Sequence, residues 1–375
     1  MSKKALLVGG SGASGLHIAR ELEARGFDVT IFHTGQHELK EIQRYEHIHG
    51  DPHFKASIEE KLGQQQWDLT VLTYGRIRIL AEHLRERTKQ LIAVSGLPVV
   101  GDKIGIPLKE SDPYQLLNLS PPGLQKLLPK IIETEQMILN DSASGYYTGS
   151  VVRYPYLYGP HSVAPLEWHV IKRIIDRRKF WPLSGSGLQI FGRCAAPNAA
   201  HLIGLMIDQP EKVGGKIYHA ADEDQLTLRE WIEHISSYFD YKFEFLDIPS
   251  QLIPLDSCAL PMSGDSAWIS AEDNKHSLIR HRVPVTTKAK IELGYQDVVE
   301  AKNWIHSTCE YLIENPPQID GKHGRLGPRD FNYNEEDQLI KWWKALKATV
   351  PKFQTQAIRQ HPYEHPKEIS KQLRG

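Results

Sequence analysis

The sequence predicts an α/β fold, a doubly wound parallel sheet of the Rossmann type with a second, C-terminal lobe. Three observations predict it. A short apolar segment at residues 4–8 runs into a glycine-rich turn at 9–15 and then into a helical pattern at 16–25. The first half of the chain alternates strand and helix patterns of similar length. The 375 residues suffice for a sheet domain and a second lobe.

The glycine-rich turn is the strongest indication of a ligand. It reads G-x-x-G-x-x-G, with one additional glycine, and a second strand pattern at 28–33 completes a βαβ unit. Glycines let the backbone approach phosphates closely, and the N–H groups and dipole of the following helix attract their charge. A purely structural turn would also use glycine, but the βαβ context favours a dinucleotide. We predict that its pyrophosphate is bound by Gly9, Ser11, Gly12, Ala13, Ser14 and Gly15.

The remaining elements of the first half follow in regular order. Helix patterns and strand patterns alternate, and the last helix follows a long proline-rich loop. The segments are a helix at 38–45, a strand at 47–51, a helix at 56–62, a strand at 67–73, a helix at 77–87, a strand at 90–95, a helix at 124–140 and a strand at 149–154. Ligands of such sheets bind at the carboxyl ends of the strands.

The alternating patterns define the first domain, a predicted dinucleotide-binding domain at residues 1–160. The less regular residues that follow form a second lobe, and residues 346–375 form a polar C-terminal tail. Within the lobe, 335–350 has an apolar helical face that must pack on its own domain or on a second subunit, so a homodimer is one expectation.

Composition and charge exclude several classes of function. The formal net charge is −1, so no basic face for nucleic acid is expected. Three widely spaced cysteines form no metal-ligand pair and suit a reducing cytoplasm. Neither a signal peptide nor a long apolar span is visible, so we expect no membrane partner. The 18 histidines form no H-E-x-x-H pattern and no G-x-S-x-G elbow is present, so we expect no metal and mainly surface histidines, although His47 and His49 alternate on one side of a strand.

Residues at the strand ends are candidates for the rest of the cofactor site. The second strand ends at His33 and Thr34, without the acidic residue that usually bonds the ribose 2′-hydroxyl of NAD. This favours NADP over NAD, although these residues also suit a polar loop. Asp51 would bind the adenine amino group, or would form a turn beside Pro52. The predicted contacts at the end of the next strand are Thr73 and Tyr74.

Several segments in this order resemble the NAD(P)-dependent epimerase/dehydratase family, the extended and atypical short-chain dehydrogenase/reductases. They are residues 8–15, 50–51, 94–95 and 152–160, of which Tyr158-Gly159-Pro160 is fairly specific, together with 218–231 and 288–295. The resemblance covers roughly residues 3–315. It implies an NAD(P)-binding Rossmann domain at 1–160, completed by a returning segment at about 190–225, and a smaller C-terminal α/β substrate lobe made of 161–189 and 226–345. The doubled glycine is similar to the atypical branch.

The catalytic set that the resemblance implies is incomplete. Relatives carry a serine or threonine, and a tyrosine that lies four residues before a lysine. The tyrosine is the general acid or base, and the lysine lowers the pKa of the tyrosine and holds the nicotinamide ribose. Here Lys130 takes the lysine position, Lys126 stands at the tyrosine position, Ser95 matches the first serine and Gly96 replaces the second. The proton could come from Lys130, Lys126, water or another tyrosine, for which the candidates are Tyr154, Tyr156, Tyr74 and Tyr114. Core or rim packing is the stronger alternative for each single tyrosine, and Tyr154 is also a predicted cofactor contact.

The resemblance also places the region after residue 155 over the substrate. The candidate substrate contacts are Tyr156, Trp168, His169 and Arg193, with core packing as the stronger alternative for Trp168. The favoured function is an NAD(P)-dependent oxidoreductase that acts on a small carbonyl, hydroxyl or activated double bond. A non-catalytic NAD(P)-binding sensor or scaffold is the alternative, and a nucleotide-sugar epimerase or dehydratase ranks third.

Overall fold

A computed structural model of the protein describes residues 2–97, 106–114, 122–249, 252–253, 281–320 and 326–351. The strands are β1 (Lys3–Val8), β2 (Phe27–His33), β3 (Glu46–His49), β4 (Trp67–Leu72), β5 (Thr88–Gly96), β6 (Thr148–Tyr154), β7 (Tyr156–Tyr158), β8 (Phe180–Leu183), β9 (Arg193–Ala195), β10 (Lys216–His219) and β11 (Glu244–Asp247). The helices are α1 (Gly15–Ala24), α2 (Lys55–Leu62), α3 (Ile77–His83), α4 (Pro122–Ala143), α5 (Glu167–Ile175), α6 (Ala196–Asp208), α7 (Pro210–Val213), α8 (Leu228–Tyr238), α9 (Thr287–Leu293), α10 (Ala301–Glu314) and α11 (Asn334–Ala348).

Seven of the described strands form one sheet in the order β10-β6-β5-β4-β1-β2-β3. Every neighbouring pair is parallel. Alternate residues face opposite sides, so Leu7 and Ile31 pack with α1 and α6, whereas Leu6 and Phe32 pack on the side of α2 and α3. Burial on both faces explains the nearly continuous apolar strands. The predicted doubly wound parallel sheet is confirmed, and its strand order reverses between β1 and β4.

The second lobe has its own apolar core. Trp181 on β8 and Trp231 on α8 are fully buried there, with residues of α5 and α10. β8 pairs in parallel with β11. Helix α11 is attached to this lobe by Glu336, a buried residue whose carboxylate pairs with Arg173 on α5. The amphipathic helix predicted at 335–350 therefore packs on its own lobe.

Two segments join the first core from later in the chain. Helix α6, in the predicted returning segment, packs against α1 and the sheet. Helix α9, within the range predicted for the substrate lobe, also buries Ala289 and Leu293 in the core of the sheet domain. The predicted tail at 346–375 lies largely outside the described residues.

Some predicted boundaries differ from those observed. The helix predicted at 38–45 is only a single 3₁₀ turn, Lys40–Ile42, in which Ile42 is the one buried residue. The helix predicted at 77–87 ends at His83, and Glu86 shortly after it has a left-handed φ of 59°. Among the helices of the described segments, none combines the length and the apolar character needed to cross a bilayer.

Candidate functional site

The glycine turn has a shape that only glycines allow. Gly9 and Gly10 have φ angles of 115° and 98°, which side chains strongly disfavour. A Cβ atom on Gly15 would lie 2.3 Å from the carbonyl oxygen of Gly10, so the first turn of α1 packs directly on the backbone. A Cβ on Gly12, in contrast, would meet no atom of the described residues within 4 Å. Three of the glycines are therefore required by the fold, whereas Gly12 borders open space.

The turn lies where parallel sheets of this kind bind ligands. It follows the carboxyl end of β1, beside the reversal of strand order between β1 and β4. Thr73, directly after β4, donates a hydrogen bond of 2.8 Å from Oγ1 to the carbonyl of Val8 and so fixes the edge of this crevice. The first turn of α1 carries no acidic side chain, and the Ser14 hydroxyl does not cap it. The positive end of the helix therefore faces the turn without a competing charge.

The residues predicted for the adenosine end lie at the neighbouring strand ends. Asp51 accepts a hydrogen bond of 2.9 Å from the backbone N–H of His53 and contacts its ring, and these bonds lower the pKa of the Asp51 carboxyl. This is the turn-forming role that the sequence left as an alternative. Tyr74 is half exposed and packs edge-on against the His53 ring, while Thr34 is partly exposed.

His33 differs from the expectation of a surface histidine. Its side chain is only 3% exposed, and its Nε2 lies 2.7 Å from Nδ1 of His47. The reason is the strand register, since His33 pairs with His49 across β2 and β3 and shares a face with His47. The prediction that His47 and His49 face one side is confirmed. His33 is directed into this histidine group rather than freely towards a ribose.

The two predicted catalytic lysines lie on the outer face of α4. Lys126 and Lys130 are exposed, whereas Leu128, Glu135 and Ile138 form the buried face of the same helix. Leu128 packs with Leu97, which follows β5, and with Leu108. The alignment that places Lys130 at the nicotinamide ribose stays a prediction, because a side chain that contacts a cofactor is exposed before the cofactor binds.

Ser95 and Tyr154 lie at the carboxyl ends of adjacent strands. In the β5–β6 ladder Ser95 pairs with Arg153 and Gly96 pairs with Tyr154, so the serine and the tyrosine face opposite sides of the sheet. Both hydroxyl oxygens are buried, and neither has a well-formed hydrogen bond with the residues that the structure describes. The structure thus places these two predicted catalytic residues on opposite faces of the sheet.

Tyr154 is the member nearest the glycine turn. Burial raises the pKa of its hydroxyl, and the proximity of the Ser14 hydroxyl opposes this effect only in part. The phenol therefore stays protonated at neutral pH and is available as a hydrogen-bond or proton donor. Of the predicted catalytic residues, Tyr154 is therefore the one that lies beside the glycine turn.

A buried ion pair that the sequence reading missed lies on the Ser95 side. Arg153 Nη2 is 2.7 Å from Glu135 Oε2, and both side chains are almost fully buried. The Tyr114 ring lies 5.4 Å from the guanidinium, and the carboxylate of Glu110 accepts a hydrogen bond from the backbone of His219 nearby. In the sequence this pair is visible as one arginine in an apolar strand and one glutamate on the apolar face of a helix. This network orders the end of β6 and half-buries Tyr114, another candidate tyrosine.

Two predicted substrate contacts are packing residues instead. Trp168 is buried in the core of the C-terminal lobe, in agreement with the alternative reading. His169 is also buried and stacks on Phe331 with ring centroids 5.4 Å apart. Because α5 turns these side chains into the lobe, neither is accessible to a substrate.

Tyr156 and Arg193 lie together on the sheet-facing side of the lobe. The Tyr156 hydroxyl donates to Glu167 Oε2 at 2.9 Å, and the ring stacks on Phe191. The Arg193 guanidinium lies 5.2 Å from the same Phe191 ring, and its Nε and Nη2 have no partner among the described residues. Burial lowers the pKa of Arg193 to about 10 and raises that of Glu167 to about 6.

A surface groove of about 800 Å³ lies elsewhere, at the amino ends of the strands. It is lined by residues such as Trp67, Thr88 and Tyr147. The groove is at the end of the sheet opposite the glycine turn, so the usual position of the ligand does not coincide with it.

Comparison with solved structures places this arrangement among known folds. No protein-family profile and no curated protein matches the sequence. UDP-glucose 4-epimerase from Thermotoga maritima superposes with a TM-score of 0.65 at 15% identity, over 83% of this chain and 99% of that one. The dTDP-glucose 4,6-dehydratase from Bacillus anthracis, solved in complex with NAD, gives 0.63 at 14% identity, over 84% and 97%. The chain has the fold of the nucleotide-sugar epimerases and dehydratases. A third structure, UDP-glucuronic acid 4-epimerase from Bacillus cereus in complex with UDP-glucuronic acid and NAD, gives 0.61 at 15% identity, over 83% and 99%. The resemblance inferred from the sequence motifs is confirmed at the level of the fold.

Proposed function

We propose that the protein binds NAD or NADP across the carboxyl edge of the sheet, with the pyrophosphate on residues 9–15. The observation that carries this proposal is the contrast within the turn. Gly9, Gly10 and Gly15 are required by backbone geometry, while Gly12 borders open space at the free end of α1. A turn needed only for folding has no reason to leave that space. Two of the structurally similar proteins were solved with NAD, which supports the same ligand class here.

The proposal covers both cofactors. His33, which the sequence offered to a 2′-phosphate, is buried against His47, and Thr34 is the partly exposed residue left at this strand end. No acidic residue stands at position 33 or 34 to select the 2′-hydroxyl of NAD. Parallel titrations with NADH and NADPH measure the preference.

As a function we propose an NAD(P)-dependent oxidoreductase of the atypical short-chain dehydrogenase/reductase type, acting on a small molecule. Hydride transfer requires chiefly that the nicotinamide be held against the substrate. The proton donor in this proposal is Tyr154, because its protonated hydroxyl is buried close to Ser14 and has no well-formed hydrogen bond with the described residues. Ser95, whose hydroxyl also has no partner among the described residues, would bind a polar group of cofactor or substrate. Lys126 and Lys130, both exposed on α4, are the alternative donors.

A second candidate function is binding without turnover, as a sensor or scaffold. The observation that favours it is the apolar cluster of Leu97, Leu108 and Leu128 next to the end of β5, where the related enzymes are expected to have polar catalytic groups. The nucleotide-sugar epimerase or dehydratase alternative is supported by the names of the similar structures alone.

Two experiments test these proposals. Fluorescence titration of the purified chain with NADH and with NADPH is expected to show saturable binding of at least one; binding of neither would overturn the proposed function. The second experiment incubates the chain with the preferred cofactor and a panel of small carbonyls, alcohols, UDP-sugars and dTDP-sugars. Turnover identifies an enzyme, and binding without turnover of any member identifies the sensor.

For any substrate found, Tyr154→Phe is expected to slow turnover by about 10²-fold while cofactor binding is retained. Tyr146→Phe, at a partly exposed tyrosine on the far edge of the sheet, is the control and should keep full activity. Full activity of Tyr154→Phe would remove Tyr154 as the proton donor.

A further inference from the structure

Three histidines and one glutamate meet at the outer edge of the sheet. His33 is the last residue of β2, and the parallel register pairs it with His49 on β3. His47 lies two residues before His49, so all three imidazoles project from the same face. Glu38, in the loop that follows β2, turns its carboxylate back onto them. The group combines two strands and a loop.

The donor atoms of this group lie at the spacing of metal ligands. Glu38 Oε1 is 3.0 Å from His47 Nδ1 and 3.7 Å from Nε2 of both His33 and His49. One donor atom from each of the four residues lies within 4.8 Å of the other three. In tetrahedral zinc sites, ligand bonds of about 2.0–2.2 Å place neighbouring donor atoms roughly 3.3–3.5 Å apart. Small side-chain rotations would bring the four atoms to that geometry.

The hydrogen bonding of His47 fixes which nitrogen faces the group. Its Nε2 lies 2.9 Å from the carbonyl oxygen of Ile42, and a carbonyl only accepts, so Nε2 carries the proton. In the neutral ring Nδ1 then presents a lone pair to the Glu38 carboxylate and to His33 Nε2. In the metal-free chain a proton on His33 Nε2 satisfies this lone pair, and a bound metal ion would take the place of that proton. A backbone carbonyl that orients the remote nitrogen is also the usual support of a metal-binding histidine.

We propose that Glu38, His33, His47 and His49 bind one divalent transition-metal ion of the zinc type. Three imidazoles and a carboxylate suit zinc and disfavour magnesium or calcium, which prefer oxygen ligands alone. Four protein ligands leave no open position, so the ion is structural and ties the loop after β2 to the edge of the sheet. His49, with 58% of its side chain exposed, forms the outer side of the site and allows the ion to enter. The proposal departs from the expectation drawn from the sequence, which was that the protein binds no metal.

The first test uses the untagged, full-length protein. After exhaustive dialysis, the zinc content is measured by mass spectrometry, and zinc is titrated against a chromophoric chelator. We expect about one zinc per chain with submicromolar affinity, and a melting temperature that rises with Zn²⁺ but not with Mg²⁺. A protein that neither retains nor binds zinc would overturn the proposal, and a protonated His47–Glu38 ion pair would then explain the contacts.

Matched variants locate the site. Glu38→Gln and His49→Asn each remove one ligand at a partly exposed position, so both are expected to fold and to bind zinc at least about tenfold more weakly. Glu41→Gln, three residues along the same loop, and His234→Asn in the C-terminal lobe are the controls and should bind zinc as the unchanged chain does. Equal affinity of all four variants would place the zinc elsewhere and contradict the assignment. Zinc binding is measured without dinucleotide, so this result is independent of the proposed function.

Discussion

Gly15 packs so closely on Gly10 that a Cβ atom at Gly15 would lie 2.3 Å from the Gly10 carbonyl oxygen. This contact joins the start of α1 to the end of β1 and fixes the turn between them. The positive φ angles of Gly9 and Gly10 are part of the same arrangement. The shape of the turn is therefore set by the fold itself, and a ligand would find it already formed.

Gly15→Ala is expected to destabilise the protein by about 1–3 kcal/mol, because the added methyl group must displace backbone rather than a flexible side chain. Gly12→Ala is the matched control and is expected to leave the free energy of unfolding within about 0.5 kcal/mol, since its Cβ meets open space. Urea unfolding of both variants measures the difference. Equal stability of the two would contradict the described packing of the turn.

Removal of one partner from the buried ion pair is expected to be costly. Glu135→Ala leaves the Arg153 guanidinium buried without its carboxylate and should cost about 3–5 kcal/mol of unfolding free energy. Glu133, on the same helix, pairs with Arg78 at the surface with 59% of its side chain exposed. Glu133→Ala should therefore change stability by less than about 1 kcal/mol. Similar losses in both variants would show that Glu135 is not buried as described.

Two tyrosines that differ in hydrogen bonding give a second matched pair. The Tyr158 hydroxyl donates to Asp222 at 2.8 Å in a buried site, so Tyr158→Phe is expected to cost about 1–3 kcal/mol. The Tyr154 hydroxyl has no well-formed bond with the described residues, so Tyr154→Phe should stay within about 0.5 kcal/mol of the unchanged chain. Thermal or urea unfolding checks both. A large loss of unfolding free energy in Tyr154→Phe would show that the hydroxyl makes a structural hydrogen bond. That result would contradict the proposal that this hydroxyl is available as a proton donor.

The buried Glu167 predicts a specific dependence of stability on pH. Burial raises the pKa of its carboxyl from an ordinary value of 4.5 to about 6 in the folded protein. The folded state then binds this proton more tightly than the unfolded state, so Glu167 lowers stability as the pH rises from about 4.5 to about 6. Tyr156 donates to the carboxylate and Arg193 lies near it, and both moderate the rise.

Glu167→Gln removes this titration and keeps an acceptor for Tyr156. The stability of the unchanged chain relative to Glu167→Gln is therefore expected to fall by about 2 kcal/mol between pH 4 and pH 7, and to change little above that. Urea unfolding of both proteins across this range measures the difference. A difference that is constant with pH would show that the Glu167 carboxyl is not perturbed.

The elements of the sheet domain could be predicted from the sequence because their signals are local. Apolar runs such as residues 67–73 and the glycine turn at 9–15 carry their structure in adjacent residues. The segment 38–45 was the exception, since it buries only Ile42 and forms a single 3₁₀ turn. Helix α9 shows a second limit, because nothing local in 287–293 indicates which of the two cores it joins.

The candidate site was harder to predict because it depends on how elements face one another. The alignment of Lys130 with a catalytic lysine rests on spacing along the chain, and that spacing does not say which groups the exposed face of α4 meets. The pairing of His33 with His49 depends on the register of two strands separated by a loop. The Arg153–Glu135 pair likewise depends on the packing of a helix on a strand. None of these relationships has a signature within one segment.

The most direct test of the central claim is calorimetric titration of NADH and of NADPH into the unchanged chain and into Gly12→Val. We expect the unchanged chain to bind at least one of them, and Gly12→Val to bind at least about tenfold more weakly with an unchanged urea midpoint, because the valine fills the space that the pyrophosphate would take. The absence of binding of both dinucleotides to the unchanged chain, or equal binding by Gly12→Val, would contradict a dinucleotide site on this turn.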